Sequence, residues 1–250
     1  MSEPAYALGV VCEAPADRET ACLLADRVLV GAIDWLDDGT LDTQRRWQGR
    51  TPNESFLRWA SVRSEADKAG LKGLFGHFGS KPGEPDALVA RRALMLFMKA
   101  DKAPDAVVLI RDSDADPRRR LGLEQARDDG RWPFQVVIGV AEPKRECWVL
   151  TGFEARAHEE KALDELEQRL SFHPVRDAHR LTASEHGAKN DAKRALKELM
   201  SEDPEREREC LRDTPLASLQ AQGSKVGLSK FLEEVRQRLV PVVSGTSPAP

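Results

Sequence analysis

Short apolar runs alternate with longer amphipathic stretches through the first part of the chain. Three runs, at residues 6–12, 106–110 and 134–140, are rich in small and β-branched residues and predict buried strands. Amphipathic spacing predicts helices over residues 17–30, 54–69, 85–99, 117–129 and within 142–150. This alternation favours an α/β fold with a parallel sheet flanked by helices.

From about residue 156 onward the apolar pattern no longer predicts strands. Helical spacing instead recurs over residues 159–170, 189–200, 204–211 and 228–239. We therefore expect an α/β domain over 1–155 with a helical insert at about 40–100. A helical C-terminal region over 156–242 and a disordered Ser/Pro tail over 243–250 follow it. Within the insert, the glycine-rich stretch 71–83 predicts a loop.

Composition narrows the class of protein. Over 250 residues, 38 Lys and Arg against 42 Asp and Glu give a net charge of 38 − 42 = −4, which excludes a wholly basic nucleic-acid coat. Aromatic residues make up 6%, too few to favour a base-stacking platform. The sequence has no membrane-spanning apolar run, no signal-peptide pattern and no CxxC pair. We expect a cytoplasmic protein without a membrane partner, in which Cys12 and Cys22 are buried.

Acidic residues follow each of the three predicted strands. Glu13 follows the first strand, three Asp within five residues follow the central strand, and Glu142 and Glu146 follow the third. The three aspartates are Asp112, Asp114 and Asp116. Parallel strands deliver their carboxyl ends to one sheet edge, where carboxylates brought together favour a hard cation. Helix capping at strand-to-helix turns is the alternative interpretation for any single acid.

The spacing of the residues around Asp112 distinguishes between known acidic motifs. A Ca²⁺ loop starting at Asp112 needs Gly at its sixth position and Glu at its twelfth, but Pro117 and Leu123 stand there, so it is rejected. A phosphohydrolase of the haloacid dehalogenase type also places Asp-x-Asp after an apolar strand. Because that strand normally lies near the start of the family's domain, this is the weaker alternative.

The chain resembles Toprim domains in three places. An apolar strand leads into Glu13, with Asp17 four residues later, although Ala14 replaces the usual Gly. Asp112-Ser113-Asp114 matches the second motif, and an acid follows the next strand. Glu146 and Trp148 lie where the DUF4276-like group of Toprim proteins has its acid and aromatic. The resemblance covers residues 6 to about 150 and implies a Toprim/Rossmann-like parallel sheet.

This resemblance implies a nuclease that depends on Mg²⁺ or Mn²⁺. Asp112 and Asp114 would be the main metal ligands, with Asp116 and Asp17 as secondary candidates. Glu13 would be a ligand or the general base, and Glu146 would complete the shell or orient water.

Basic residues beside the acidic motifs complete the expected site. Arg118 and Arg119, with Lys144 and Arg145, are candidates for binding the flanking phosphates of a nucleic acid. A solvated helix face is the alternative interpretation. For the cations at 189, 193, 194 and 197, interleaved with glutamates, the solvated face is favoured.

Three other classes of protein are excluded because the sequence lacks the residues that their chemistry needs. The only tyrosine, Tyr6, lies in a predicted strand, which excludes a topoisomerase, and no Cys/His cluster supports a primase zinc module. No Gly-Lys-Ser/Thr motif supports an ATPase.

The expected function is an endonuclease, acting on DNA in preference to RNA, as the effector of a bacterial anti-phage system. An ATPase partner of the ABC or AAA type is implied by the resemblance, and a homo-oligomer is left open. The alternatives are a degenerate Toprim-like binding subunit and a metal-dependent small-molecule phosphohydrolase.

Overall fold

A mostly parallel sheet forms the centre of the α/β fold. The computed structural model describes residues 4–71, 73, 76–185 and 187–246. Strand β1 (Tyr6–Cys12) pairs in parallel with β2 (Arg45–Gln48), with β3 (Leu57–Arg58) and with β6 (Ala106–Asp112). Strand β7 (Gln135–Ala141) lies beside β6, which gives the order β2-β1-β6-β7. The predicted Rossmann-like α/β class is therefore confirmed.

Buried apolar side chains of β1, β6 and β7 form the core around the sheet. Val10, Val108 and Ile138 are at most 1% exposed. Gly9 allows the sheet to pack closely, because a Cβ atom there would lie 2.7 Å from the Phe97 ring. Strands β4 (His77–Phe78) and β5 (Lys81–Pro82) form a separate antiparallel pair within the predicted glycine-rich loop. That loop also includes residues 72, 74 and 75, which lie outside the described residues.

Helices make up most of the remaining structure. They are α1 (Pro15–Ala32), α2 (Leu41–Gln44), α3 (Val62–Lys68), α4 (Ala87–Met98), α5 (Arg118–Asp129), α6 (Arg145–Thr151), α7 (Glu160–Leu170), α8 (Ala192–Met200), α9 (Pro204–Arg212), α10 (Leu216–Gln222), α11 (Leu228–Glu234) and α12 (Val240–Val243). Short 3-10 helices cover Trp59–Ser61, Ala178–Arg180 and Gly223–Val226. In the described residues after 155 there is no strand, as the sequence predicts.

The chain divides into two compact units. Within the described residues, the first includes those up to Arg111, together with Pro117–Gly139 and the residues from Phe231 onward. The second consists of Asp112–Asp116 and Val140–Lys230. In the second unit, α6 packs against α8 and α9. The Trp148 indole on α6 donates a hydrogen bond to the Val226 carbonyl at 2.7 Å.

The predicted helix over residues 54–69 is wrong for its first half. Leu57 pairs with Val11 of the sheet, so the chain is extended there, and α3 begins only at Val62. The buried Trp59 indole donates a hydrogen bond to the Ile110 carbonyl at 2.6 Å. This pairing with the sheet overrides the local helical spacing.

The predicted helix over residues 228–239 is also interrupted. Helix α11 ends at Glu234, and a π-helical segment, Val235–Leu239, connects it to α12. Pro241, the second residue of α12, has no N–H to donate, which disfavours a regular α-helix through this stretch. The predicted tail begins within α12, and its last residues, 247–250, lie outside the described residues.

Candidate functional site

The acidic segment after β6 forms a tight turn. The Asp116 N–H donates to the Ser113 carbonyl at 2.8 Å, which closes a four-residue turn. Its central residues, Asp114 and Ala115, have φ values of 47° and 63°. Two positive φ values are characteristic of a type I′ turn, which Asp tolerates and Ala disfavours. The turn exposes Asp114, while Asp112 and Asp116 are half-buried.

Backbone hydrogen bonds hold this turn against the segment that follows β7. The Asp114 N–H donates to the Pro143 carbonyl at 3.1 Å. The Asp112 Oδ1 atom accepts a hydrogen bond from the Arg145 backbone N–H at 2.9 Å. The acids predicted after the central strand are thus connected to the start of α6, which carries Glu146.

Glu146 is a buried carboxylate with one unpartnered oxygen. Its exposed fraction is 6%, and its Oε2 atom has no hydrogen-bond partner in the described part of the chain. The Oε1 atom lies 3.6 Å from Nη2 of Arg145. Arg145 is itself fixed by Glu207, whose Oε2 lies 2.7 Å from Nη1. Buried carboxylate oxygens normally have partners, so this atom is suited to a bound group.

Glu146 lines an open cleft of about 340 Å³, which we call the Glu146 cleft. All of its lining residues belong to the second unit. They are Arg145, Glu146, Gly187, Lys193, Arg194, Leu196, Lys197, Glu202 and Glu207. Four cationic and three anionic side chains therefore surround one small volume. A cleft of this size and polarity suits a small charged group better than an apolar ligand.

The cysteine beside Glu146 is unsuited to nucleophilic chemistry. Cys147 is fully buried, and its Sγ atom donates to the Ala178 carbonyl at 3.3 Å. Burial raises the pKa of its thiol well above the ordinary value, and the charges of Glu146 and Asp112 raise it further. The thiol therefore stays protonated at neutral pH. Cys12 and Cys22 are also buried, as predicted.

Two of the cations expected to bind nucleic acid have partners inside the protein. Lys144 Nζ donates to the Ala183 carbonyl at 3.0 Å and lies 3.6 Å from an oxygen of Asp191. Arg145 is held by Glu207, as described above. Both side chains contribute mainly to the internal structure of the second unit.

Glu13, expected to be a catalytic residue and metal ligand, lies in the first unit and pairs with Arg111. The Arg111 guanidinium also binds Asp86, with Nε 3.0 Å from Oδ2. Arg119 lies 3.5 Å from the same oxygen, whereas Arg118 is exposed. A cleft of about 370 Å³ adjoins Glu13 and Arg111. The charge of Glu13 is therefore balanced by an arginine within its own unit.

The secondary candidate Asp17 has a structural role. Its Oδ2 atom accepts a hydrogen bond from the Ala14 N–H at 2.9 Å, at the first turn of α1. This is a helix cap, the alternative interpretation for a single acid after a strand.

No group of three or more His, Cys, Asp or Glu side chains that could hold a metal ion occurs among residues 4–71, 73, 76–185 and 187–246. Within the second unit, the structure brings Asp112 to the backbone of Arg145, next to Glu146. Its described residues thus provide carboxylates near α6, and no closed cage of protein ligands.

Lys193, Arg194 and Lys197 line the Glu146 cleft, although their spacing alone favoured a solvated face. They lie about 50 positions from Glu146 in the sequence, so no local signal connects these cations with Glu146.

Comparison with known proteins identifies no relative of this chain, since no family model, curated protein or solved structure matches it. In the described part of the chain, no helix has the length and apolar character needed to cross a membrane.

Proposed function

We propose that the chain is a Mg²⁺- or Mn²⁺-dependent endonuclease of the Toprim type that hydrolyses phosphodiester bonds of nucleic acid. One observation carries the proposal: the carboxylate of Glu146 is buried, one of its oxygens has no partner among the described residues, and it lines a cleft rich in cations. A carboxylate can accept a proton, and cations can hold a phosphate. An ATPase partner of the ABC or AAA type and a role in anti-phage defence are part of this proposal, and they rest on the resemblance to Toprim proteins.

The carboxylates of the second unit suit a hard cation that is only partly bound by protein. Mg²⁺ is commonly held by one or two carboxylates, and water and substrate oxygens complete its shell. Asp112, at the end of β6, and Asp114, in the turn that follows, supply two carboxylates in the same unit as Glu146. These two aspartates would hold the cation. When bound, it would neutralise charge on the scissile phosphate and favour ionisation of water.

Side chains of the protein carry out the proton transfer and the positioning that hydrolysis requires. Glu146 accepts the proton of the attacking water at Oε2 while the water oxygen bonds to phosphorus. The bond from phosphorus to the leaving sugar oxygen breaks, and that oxygen takes a proton from solvent. Arg145, held by Glu207 at 2.7 Å, positions the Glu146 carboxylate from 3.6 Å. The hydrogen bond from the Arg145 N–H to Asp112 fixes the start of α6.

Plasmid nicking tests this proposal. Supercoiled DNA is incubated with the purified chain in Mg²⁺, Mn²⁺ or EDTA, and labelled RNA is tested in parallel. We expect metal-dependent cleavage that falls about 100-fold or more in Glu146→Gln, because general-base catalysis contributes on the order of 10²–10⁴. Asp112→Asn should also lose activity. Glu165→Gln, an exposed acid on α7, is the matched control and should cleave normally. Glu13→Gln tests the β1 carboxylate in the same assay.

The outcomes separate the proposed function from its alternatives. Equal cleavage by the wild type and by a folded Glu146→Gln variant would overturn the role of Glu146. Metal-dependent turnover of a simple phosphomonoester without cleavage of nucleic acid would favour a small-molecule phosphohydrolase. Nucleic-acid binding without cleavage in any metal, alone or with an ATPase partner, would identify a binding subunit.

A further inference from the structure

Three cations of α8 line the Glu146 cleft. Lys193, Arg194 and Lys197 lie at positions i, i+1 and i+4 of one helix, and all three contribute to the cleft wall. A basic helix face by itself is usually solvated. Here the same cleft is also lined by the buried carboxylate of Glu146, one oxygen of which has no partner in the described part of the chain. This is an independent indication that the cleft accommodates a bound group.

The charge pairs around these cations are mostly exchangeable. Lys197 lies 2.7 Å from Glu202, and both side chains are exposed. Arg194 pairs with Glu198 at 2.7 Å on the helix surface, and its Nη1 atom also donates to the Gly187 carbonyl at 2.8 Å. Such exposed pairs are weak, so a phosphate can replace the carboxylate partner. Lys193 is exposed and, among the described residues, its ammonium forms no ion pair.

We propose that Lys193, Arg194 and Lys197 bind the phosphate groups of the substrate beside Glu146. The inference rests on the proposed function, because it assigns substrate-positioning residues to the same site. The cleft volume of about 340 Å³ suits one phosphorylated unit and its immediate surroundings. The cations place a phosphate near Glu146, and Arg145 partly balances the Glu146 charge at 3.6 Å.

Binding in EDTA tests the inference without catalysis. The probe is a fluorescently labelled single-stranded DNA, titrated by anisotropy at several salt concentrations. Lys193→Gln should weaken binding roughly five- to tenfold and make the negative slope of log K against log salt shallower by about 0.7. Lys193→Gln combined with Lys197→Gln should make this slope shallower by about 1.4. Lys161→Gln, an exposed lysine on α7 that pairs with Glu165, is the control and should change neither value.

Two further measurements separate this inference from the proposed function. Glu146→Gln should bind the probe as tightly as the wild type or up to about threefold more tightly, because it removes a negative charge from the cleft. Competition with a nucleoside monophosphate distinguishes a small phosphate ester from a polynucleotide as the preferred ligand.

Loss of affinity in the α8 variants would support the inference even if no metal produced cleavage. Unchanged binding and salt slopes in folded α8 variants would overturn it, even if the wild type cleaved DNA. An equal loss in Lys161→Gln would also overturn it, since the effect would then reflect net charge alone.

Discussion

Replacing Glu146 with Gln should make the protein more stable while it removes activity. In the wild type, the carboxylate is 6% exposed, and one of its oxygens has no hydrogen-bond partner within the residues that the structure describes. Such an atom costs about 1–3 kcal/mol, and more when it is charged. The amide of Gln has nearly the same shape and carries no charge, so the part of this cost that comes from the buried charge disappears.

The stability lost with the ion pair between Glu146 and Arg145 is small. The neutral amide would no longer form an ion pair with Arg145, whose Nη2 lies 3.6 Å from Oε1 of Glu146 in the wild type. Because Arg145 keeps its 2.7 Å contact with Glu207, its charge remains balanced. A long pair of this kind is worth roughly 0.5–1 kcal/mol. We therefore expect a net gain of about 1 kcal/mol, or roughly 2–4 °C in Tm for a chain of this size.

Urea unfolding followed by circular dichroism, together with thermal melts, measures this change. Glu202→Gln is a suitable control, because Glu202 lines the same cleft but is exposed. It should alter stability by no more than about 0.5 kcal/mol. A Glu146→Gln variant that is less stable than the wild type by about 1 kcal/mol would contradict this account. The carboxylate would then be a net stabilising group rather than one kept for function.

Two predictions concern the scaffold. Arg206 donates two hydrogen bonds to Glu159, at 2.8 and 2.9 Å, and both residues are buried. Arg206→Met would leave the Glu159 charge buried without this partner, so it should lower the free energy of unfolding by about 3–5 kcal/mol at pH 7, measured by urea unfolding. The hydrogen bonds from Arg206 hold the pKa of Glu159 in the folded protein below the ordinary value. The stabilisation from this lowered pKa is complete above the pKa of Glu159 in the unfolded chain and is lost as the pH falls through its pKa in the folded protein. The difference in unfolding free energy between the wild type and Arg206→Met should therefore narrow below about pH 4.5. Gly122→Ala should destabilise the protein by about 1–3 kcal/mol in thermal melts, because the alanine Cβ atom would lie 1.8 Å from the Pro85 carbonyl oxygen. An unchanged Tm would show instead that α4 and α5 can move apart without loss of stability.

Strong local patterns made most of the fold predictable. The cores of β1, β6 and β7 are continuous apolar runs, and those residues are buried in the sheet. Strand β2, by contrast, begins with Arg45 and Arg46 and has no such pattern. It is a strand because its backbone pairs with β1, and pairing partners are not visible in a local window.

The candidate site was predictable only in part. The sequence singled out Asp112 and Glu146 because each follows a buried strand, and the structure connects them through the Arg145 backbone. It also singled out Lys144 as a cation for phosphate, but the structure uses it to hold the Ala183 carbonyl. A charged side chain has the same identity whether it faces a ligand or an internal partner, so its role depends on distant residues.

The class of fold and the acidic character of the strand ends follow from the amino-acid sequence alone, because apolar runs and strand-to-helix turns are local properties of the chain. Which charges share a cleft, in contrast, depends on how the helices pack in three dimensions. Lys193 and Lys197 meet Glu146 there because α8 packs against α6. That packing depends on apolar faces, such as those of Leu196 and Leu199, and is independent of the charges it brings together.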